Sequence, residues 1–346
     1  MKNVNILQIG YGYWGPNLTR NLAGLDGVNI TALTEVVKEN IDKFKGTYTD
    51  ADVYKNYKEP LKREDIDAVV IATPAAFHFD MTLEALENGK HVLVEKPLAL
   101  TSKEGEILVD IAEKNNRILM VGHTFLYNSA VRELKNYITN GDLGDIYYIY
   151  SHRLNLGKIR QDINSLWNFA PHDVSIILDL LSDKTPQSVT SRGFSYIQKD
   201  IEDVVFLTVE YPDSVCAHIH VSWIDPNKVR KMTIVGSKKM VVYDDVSNDA
   251  KLQIFDKGVE RHYNGKDIAS FESYGEFQLL LRAGDVLVPK INFVEPLKTE
   301  CKHFVDCIRE NKIPITDGRH GLKVVKILEA AQNSLKNHGS TIDVEL

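Results

Sequence analysis

The apolar positions in the first third of the chain alternate between two rhythms. Short continuous runs, VNILQI (4–9), VNITALT within 28–35, DAVVIATP (67–74) and RILMVGHT (117–124), read as strands buried on both faces. Between them lie stretches of helical spacing. Leu18, Leu22 and Leu25 follow Pro16, whose missing N–H costs nothing in a first turn. TLEALENG ends a helix at Gly89, the strand HVLVE follows it, and a further helix covers about 102–115. Strands alternating with helices predict a parallel, doubly wound α/β sheet.

After about residue 123 the rhythm changes. A helix over 127–139 carries Val131, Leu134 and Ile138, and strand-like text follows: IYYIYSHRL, SVTSRGFSYI, DVVFLTVEY, SVCAHIHVSW, KMTIVGSKKMVVYDD and KLQIFDKG. Pro212-Asp213-Ser214 separates two of these as a hairpin turn would. A second domain with a mainly antiparallel sheet is expected over 123–346, after an α/β domain over 1–122. Helices are expected again at 297–311 and 318–337, packing back.

At 346 residues, two domains also suit the length. With 43% apolar and 26% charged residues, the chain is neither disordered nor fibrous. A net charge of −7 without a basic run argues against nucleic acid or an anionic membrane as partner. Three cysteines, Cys216, Cys301 and Cys307, form no C-x-x-C pair, which favours a reducing cytoplasm. The opening residues do not read as a signal peptide, and no apolar run reaches the roughly 18 residues that cross a bilayer.

Gly10-Tyr11-Gly12-Tyr13-Trp14-Gly15 is a G-x-G-x-x-G motif placed where a strand gives way to a helix. In that setting the first glycine makes the turn, the second admits a pyrophosphate to the backbone, and the third lets helix pack on strand. The helix N-terminus offers unpaired N–H groups to an anion. Glu35 stands at the end of the second strand, about 20 residues beyond the motif. A carboxylate there accepts from a ribose diol and repels a 2′-phosphate, so NAD is favoured over NADP.

Three further segments are Ala72-Thr73-Pro74-Ala75-Ala76-Phe77-His78, Glu95-Lys96-Pro97 and Asn168-Phe169-Ala170-Pro171-His172-Asp173. Together with the glycines and the tail GLKVVKILEAAQNSLKNHGS they resemble the glucose–fructose oxidoreductase / inositol dehydrogenase / MocA-like (Gfo/Idh/MocA) family over nearly the whole chain. The resemblance implies an NAD-dependent dehydrogenase of a sugar, nucleotide-sugar or cyclitol hydroxyl. It implies that Lys96 is the lysine beside the nicotinamide and that His172 is the catalytic histidine. Thr73, Pro74, His78 and Glu95 would line the cofactor with the glycine loop. The resemblance also implies an NAD-binding Rossmann domain over 1–122 followed by a substrate-binding domain over 123–346 with a large, open sheet, whose exposed face would make a homodimer or homotetramer. The family also contains NAD-dependent glycoside hydrolases, and a non-catalytic NAD-bound sensor is a third reading.

Elementary chemistry suits these residues. Oxidising a carbinol moves a hydride from carbon and a proton from oxygen. An amine in a buried cationic setting, or an imidazole, can take that proton. Many relatives carry Asp four residues before the histidine, where this chain has Asn168. An amide there can orient the imidazole but cannot stabilise an imidazolium, which shifts weight onto Lys96. His172 is expected in the first turn of a helix over 171–181.

The resemblance nominates His123, Tyr127, Asn128, Arg153, Asn155, Arg160 and Trp167 as facing the substrate. Amides, an aromatic and guanidinium groups suit a polyol, and Arg153 with Arg160 could grip an anionic handle or be ordinary surface arginines. His218 and His220 alternate on one strand without a third metal ligand, so no metal is expected. Ile219, Val221 and Trp223 read as core or interface, and Cys216 as apolar filler.

Overall fold

The protein is described by a computed structural model covering residues 3–259, 262–263, 266–267 and 281–346. It divides into two compact units. The first comprises Met1–Asn128 and Val294–Glu329; the second comprises Ser129–Phe293 and Ala330–Leu346. The division therefore falls six residues later than the expected one after 122, and 294–329 return to the first unit. The return is secured by backbone: Val121 N–H donates to the carbonyl of Thr316, and Met120 bridges to Asp317. No local pattern announces a partner so distant in sequence.

The first unit is built on six parallel strands: β1 (Val4–Ile9), β2 (Val28–Thr34), β3 (Asp52–Tyr54), β4 (Ala68–Ile71), β5 (His91–Glu95) and β6 (Leu119–Gly122). Their order is β3-β2-β1-β4-β5-β6. The continuous apolar runs are explained by burial on both faces; every residue of β4 and β6 is buried. Helices Gly15–Ala23, Lys38–Lys45, His78–Glu87 and Ser102–Lys114 connect the strands. The last begins with a capping box between Thr101 and Glu104. Strands are added outward in one direction from β1 to β3 and in the other from β4 to β6, and a doubly wound sheet leaves a ligand crevice at its carboxyl ends where that order switches.

The second unit holds a mixed, mainly antiparallel sheet. Its strands are β7 (Ile146–Leu156), β8 (Ser188–Phe194), β9 (Val204–Glu210), β10 (Cys216–Ser222), β11 (Ile224–Gly236), β12 (Met240–Asp244) and β13 (Leu252–Val259), with β16 (Leu281–Leu287) and β17 (Ile342–Asp343) at its two edges. A separate pair, β14 (His262–Tyr263) and β15 (Lys266–Asp267), lies outside it. The order is β16-β13-β12-β11-β7-β10-β9-β8-β17, and among the described residues only β7 with β10 runs parallel. Val205, Leu207, Val209, Ala217, Ile219, Val221 and Ile149 fill one face, with Trp223 wholly buried at the end of β10. The opposite face is aromatic. Tyr148 stacks on Tyr150, Tyr150 and His152 meet edge to face, and His220 stacks on Phe206 at 4.3 Å between centroids. Tyr148 and Phe206 remain 42% and 37% exposed.

His172 does not open a helix. The helix runs Ser165–Leu180, begun by the Asn164 side chain accepting from Trp167 N–H, and carries Pro171 in its interior. A proline there removes one intrahelical bond. Pro171, Asp173, Val174 and Ile176–Leu178 are buried along this helix, and that burial outweighs the lost bond.

Candidate active site

The glycine loop follows from its neighbours. Gly10 has φ +83°, and a Cβ there would stand 2.6 Å from the carbonyl of Ala72 at the end of β4. A Cβ on Gly15 would meet the carbonyl of Gly10 at 2.5 Å. Both positions therefore exclude a side chain. Gly12 differs: nothing lies within 4 Å of where its Cβ would be. The open space at Gly12, beside a helix N-terminus with Pro16 in its first turn, is what a pyrophosphate needs.

Buried polar groups brace the loop. Gln8 Nε2 donates to the carbonyl of Gly10 at 2.9 Å, and Thr19 Oγ1 donates to that of Gly15 at 2.9 Å. Neither residue stands out in the sequence, because a polar side chain in a buried strand carries no motif. Tyr11 has turned inward, its ring edge-on to Phe44 at 5.1 Å, so the ring packs in the core rather than lining the loop. Tyr13 is 93% exposed and stacks on Trp14.

Glu35 is buried at the end of β2 and fully engaged. Its Oε2 accepts from Tyr11 N–H at 2.8 Å and from Asn40 Nδ2 at 3.1 Å; its Oε1 accepts from Val36 and Val37 N–H at 2.7 and 2.9 Å. Burial pushes its pKa up, but these four donors outweigh burial and hold it below the usual carboxylate range. All four lone-pair positions are filled. Any further donor to Glu35 would have to displace one of these, and the Asn40 side chain is the one not fixed by backbone. Lys38 is exposed and paired with Asp42 at 2.7 Å, so it faces its own helix.

At the ends of β4 and β5 the other motifs meet. His78, the first residue of its helix, is 1% exposed; Nδ1 lies 2.7 Å from the carbonyl of Pro97 and Nε2 3.0 Å from that of Thr73. Burial lowers its pKa against those contacts. The Lys96–Pro97 peptide is cis. Glu95 accepts a hydrogen bond from the Trp14 side chain, tying the glycine loop to the E-K-P segment, and one from Lys96 N–H at 3.3 Å. Burial pushes its carboxyl up to about 7, although the Lys96 charge pulls the other way.

His123 and Tyr127 lie inside the first unit. His123 is 1% exposed, edge-on to His320 at 5.5 Å, and burial with the charges of His320 and Lys96 drives its pKa well down. The Tyr127 hydroxyl is bonded to that of Thr316 at 3.0 Å, and Asn128 is buried beside it in sequence. Glu300 and His320, which the sequence does not single out, therefore belong to the same neighbourhood as Glu95 and His123.

In the second unit, Asn168 and His172 stand one turn apart on Ser165–Leu180. Arg153 on β7 is buried, its Nε 2.5 Å from Asp173, which also accepts from Ser151 at 2.7 Å. Arg160 is bidentate to Asp162, and Trp167 donates to Gln332 at 3.2 Å. Asn155 is half-buried near the end of β7. His218 bonds Thr208 at 3.0 Å, and among the described residues no group of three or more His, Cys, Asp or Glu could hold a metal ion. Among them, too, no helix is long and apolar enough to cross a membrane.

Two family models match: the NAD-binding Rossmann-fold domain of the Gfo/Idh/MocA oxidoreductases over residues 4–123, and the C-terminal domain of that family over residues 131–242. The chain belongs to the Gfo/Idh/MocA oxidoreductase family. Its first unit carries an NAD-binding Rossmann domain, which the open cradle at Gly12 fits. A scyllo-inositol 2-dehydrogenase (NADP(+)) of Bacillus subtilis is 24% identical over 95% of this chain and 92% of its own length. A 2,7-anhydro-N-acetylneuraminate hydratase of Mediterraneibacter gnavus is 27% identical over 62% of this chain. The match spans 60% of the hydratase's length, and 58% of an uncharacterised oxidoreductase from Streptococcus pneumoniae. A glycosyl hydrolase family 109 protein of Shewanella is 32% identical over 44% of this chain and 36% of its own length. The same fold is seen in levoglucosan dehydrogenase, solved with NADH and L-sorbose, at a TM-score of 0.84 and 20% identity over the full length of both chains.

Proposed function

We propose that this family member is an NAD-dependent dehydrogenase of a sugar-like or cyclitol hydroxyl, with Lys96 and His172 handling the proton. The carrying observation is the link from cradle to lysine: Trp14 of the glycine loop is bonded to Glu95, and Lys96 is the next residue. Bound NAD supplies the hydride acceptor. Glu35 and Gly12 place the cofactor, and Lys96 receives or returns the proton of the carbinol oxygen. His172, with Asn168 one turn away, is the second proton-handling group. The relatives act on cyclitols and anhydro-sugars by name, which favours a polyol. Arg153 and Arg160 are both engaged by carboxylates, which weakens the case for a diphosphate handle.

The test is a panel of cyclitols, hexoses, anhydro-sugars and nucleotide sugars with NAD and NADP, read as absorbance of the reduced nicotinamide. We expect turnover with at least one polyol, preference for NAD, and a fall of at least about 100-fold in Lys96→Ala. No turnover on any member, or equal turnover in Lys96→Ala, would sink the assignment. The Shewanella match favours one second reading, glycoside hydrolysis with the cofactor regenerated in each cycle; sugar release without net NAD reduction would show it. The exposed aromatic face of β7, β9 and β10 supports self-association through this sheet, and sedimentation velocity should find a species larger than one chain.

A further inference from the structure

Two carboxyls of the first unit, on half-buried Glu95 and wholly buried Glu300, each carry one buried oxygen without a donor. Glu300, on helix Pro296–Glu310, is wholly buried; its Oε2 accepts from Thr124 Oγ1 at 2.8 Å and its Oε1 has no hydrogen-bond partner. Glu95 Oε1 is likewise buried without one. Both groups flank the end of β6. The Glu95 carboxyl presses on Gly122, where an added Cβ would stand 3.1 Å from it, and Thr124 two residues on holds Glu300. Two neighbouring carboxylates, one of them wholly buried and both short of donors, do not both ionise. Their surroundings decide which keeps the proton. Glu95 has an indole N–H, a backbone N–H and the Lys96 charge on its side; Glu300 has a single hydroxyl.

We propose that Glu300 keeps its proton through neutral pH while Glu95 alone ionises, making Glu95 the positioning residue that sets the charge state of Lys96. The proton assignment stands on the first unit by itself; its consequence for Lys96 rests on the function proposed above. The Glu300 carboxyl is pushed well up by burial and by the charge of Glu95, whereas Glu95 titrates near 7. Cys301 and Tyr127, which interact with these carboxyls, and the histidines that interact with Lys96 or with one another are held neutral at pH 7 by burial. Cys301 and Tyr127 are pushed up, and His78, His123 and His320 pushed down. An ionised Glu95 favours the Lys96 ammonium, the form that donates to a carbonyl; a neutral Glu95 favours the free amine, the form that accepts from an alcohol.

The experiment needs no substrate. Infrared difference spectra of the wild-type protein should show a protonated carboxyl band persisting at pH 8 and lost in Glu300→Gln. In 13C-glutamate spectra a carboxyl should titrate near pH 7, absent in Glu95→Gln and kept within about half a unit in Glu300→Gln, whose amide imitates the neutral acid. In 13C-lysine spectra, assigned with Lys96→Arg, Glu95→Gln should lower the Lys96 midpoint by about one unit or more. No protonated carboxyl at pH 8, a Glu95 midpoint below 5, or an unmoved Lys96 each overturns the proposal. Because the wild-type spectra carry the first result, a poorly folding variant leaves it decidable. A failed substrate panel alongside these spectra would overturn the function and spare the proton assignment.

Discussion

Single residues show how differently three glycines of one motif are constrained. Gly10 and Gly15 are fixed by backbone within 2.6 Å of an imagined Cβ, while Gly12 faces open space. Alanine at Gly10 must shift the Ala72 carbonyl and hold a positive φ, which costs about 1–3 kcal/mol. Alanine at Gly12 costs the fold nothing of that kind and puts a methyl into the open space proposed to take the pyrophosphate. Gly12→Ala should therefore melt within about 1 °C of wild type yet bind NADH at least about tenfold more weakly, whereas Gly10→Ala loses both. Equal NADH affinity in Gly12→Ala by fluorescence titration would remove the cradle from the binding site. The motif itself was legible because its spacing and its strand-to-helix setting are local. Gln8, Thr19 and Asn40, which brace the loop and Glu35, were not, since one polar residue in a buried or helical stretch carries no period.

Elements reveal what periodicity could and could not locate. Strands β1, β2, β4 and β6 match their apolar runs because burial on two faces leaves a continuous signature. KMTIVGSKKMVVYDD, which reads as one strand, is two: β11 ends at Gly236 and β12 begins at Met240. The helix bearing His172 begins six residues before the position that Pro171 suggested, because proline marks first turns statistically and burial decides here. That helix is tied to the sheet by Asp173, Arg153 and Ser151, and charges so paired resist separation. Removing one partner leaves the other buried and uncompensated, so Asp173→Asn should cost about 3–5 kcal/mol in chemical denaturation. Arg153→Met with Asp173→Leu should recover most of that loss. If the single variant costs under 1 kcal/mol, water reaches the pair and the burial assigned to it is mistaken. Arg153 was open in sequence between an anion grip and a surface charge; its partner lies 20 residues on, beyond the reach of helical spacing.

On the scale of the whole chain, the net charge of −7 says little, because the groups that respond to pH are buried and opposed in sign. Glu95 and Glu300 titrate higher in the fold than unfolded, so their stabilising contribution is complete below about pH 4.5 and is lost as pH rises, for Glu95 through about 7. His123 and His320 titrate lower than unfolded, so theirs is complete above about pH 6.5 and is lost as pH falls, for His320 through about 4. The two losses run in opposite directions across roughly pH 4.5–6.5 and flatten the first unit's profile. Their meeting was not legible in the sequence, since residues 294–329 reach β6 only through the fold. The cancellation is open to a difference measurement. The melting temperature of Glu300→Gln relative to wild type should climb steadily from pH 4.5 to 8, by the equivalent of at least about 1 kcal/mol. His320→Leu relative to wild type should climb instead as pH falls from 6.5 to 4. A difference that stays constant with pH in either variant means that the group titrates alike in the folded and unfolded chain, and the buried cluster around β6 then has no part in the protein's response to acid or base.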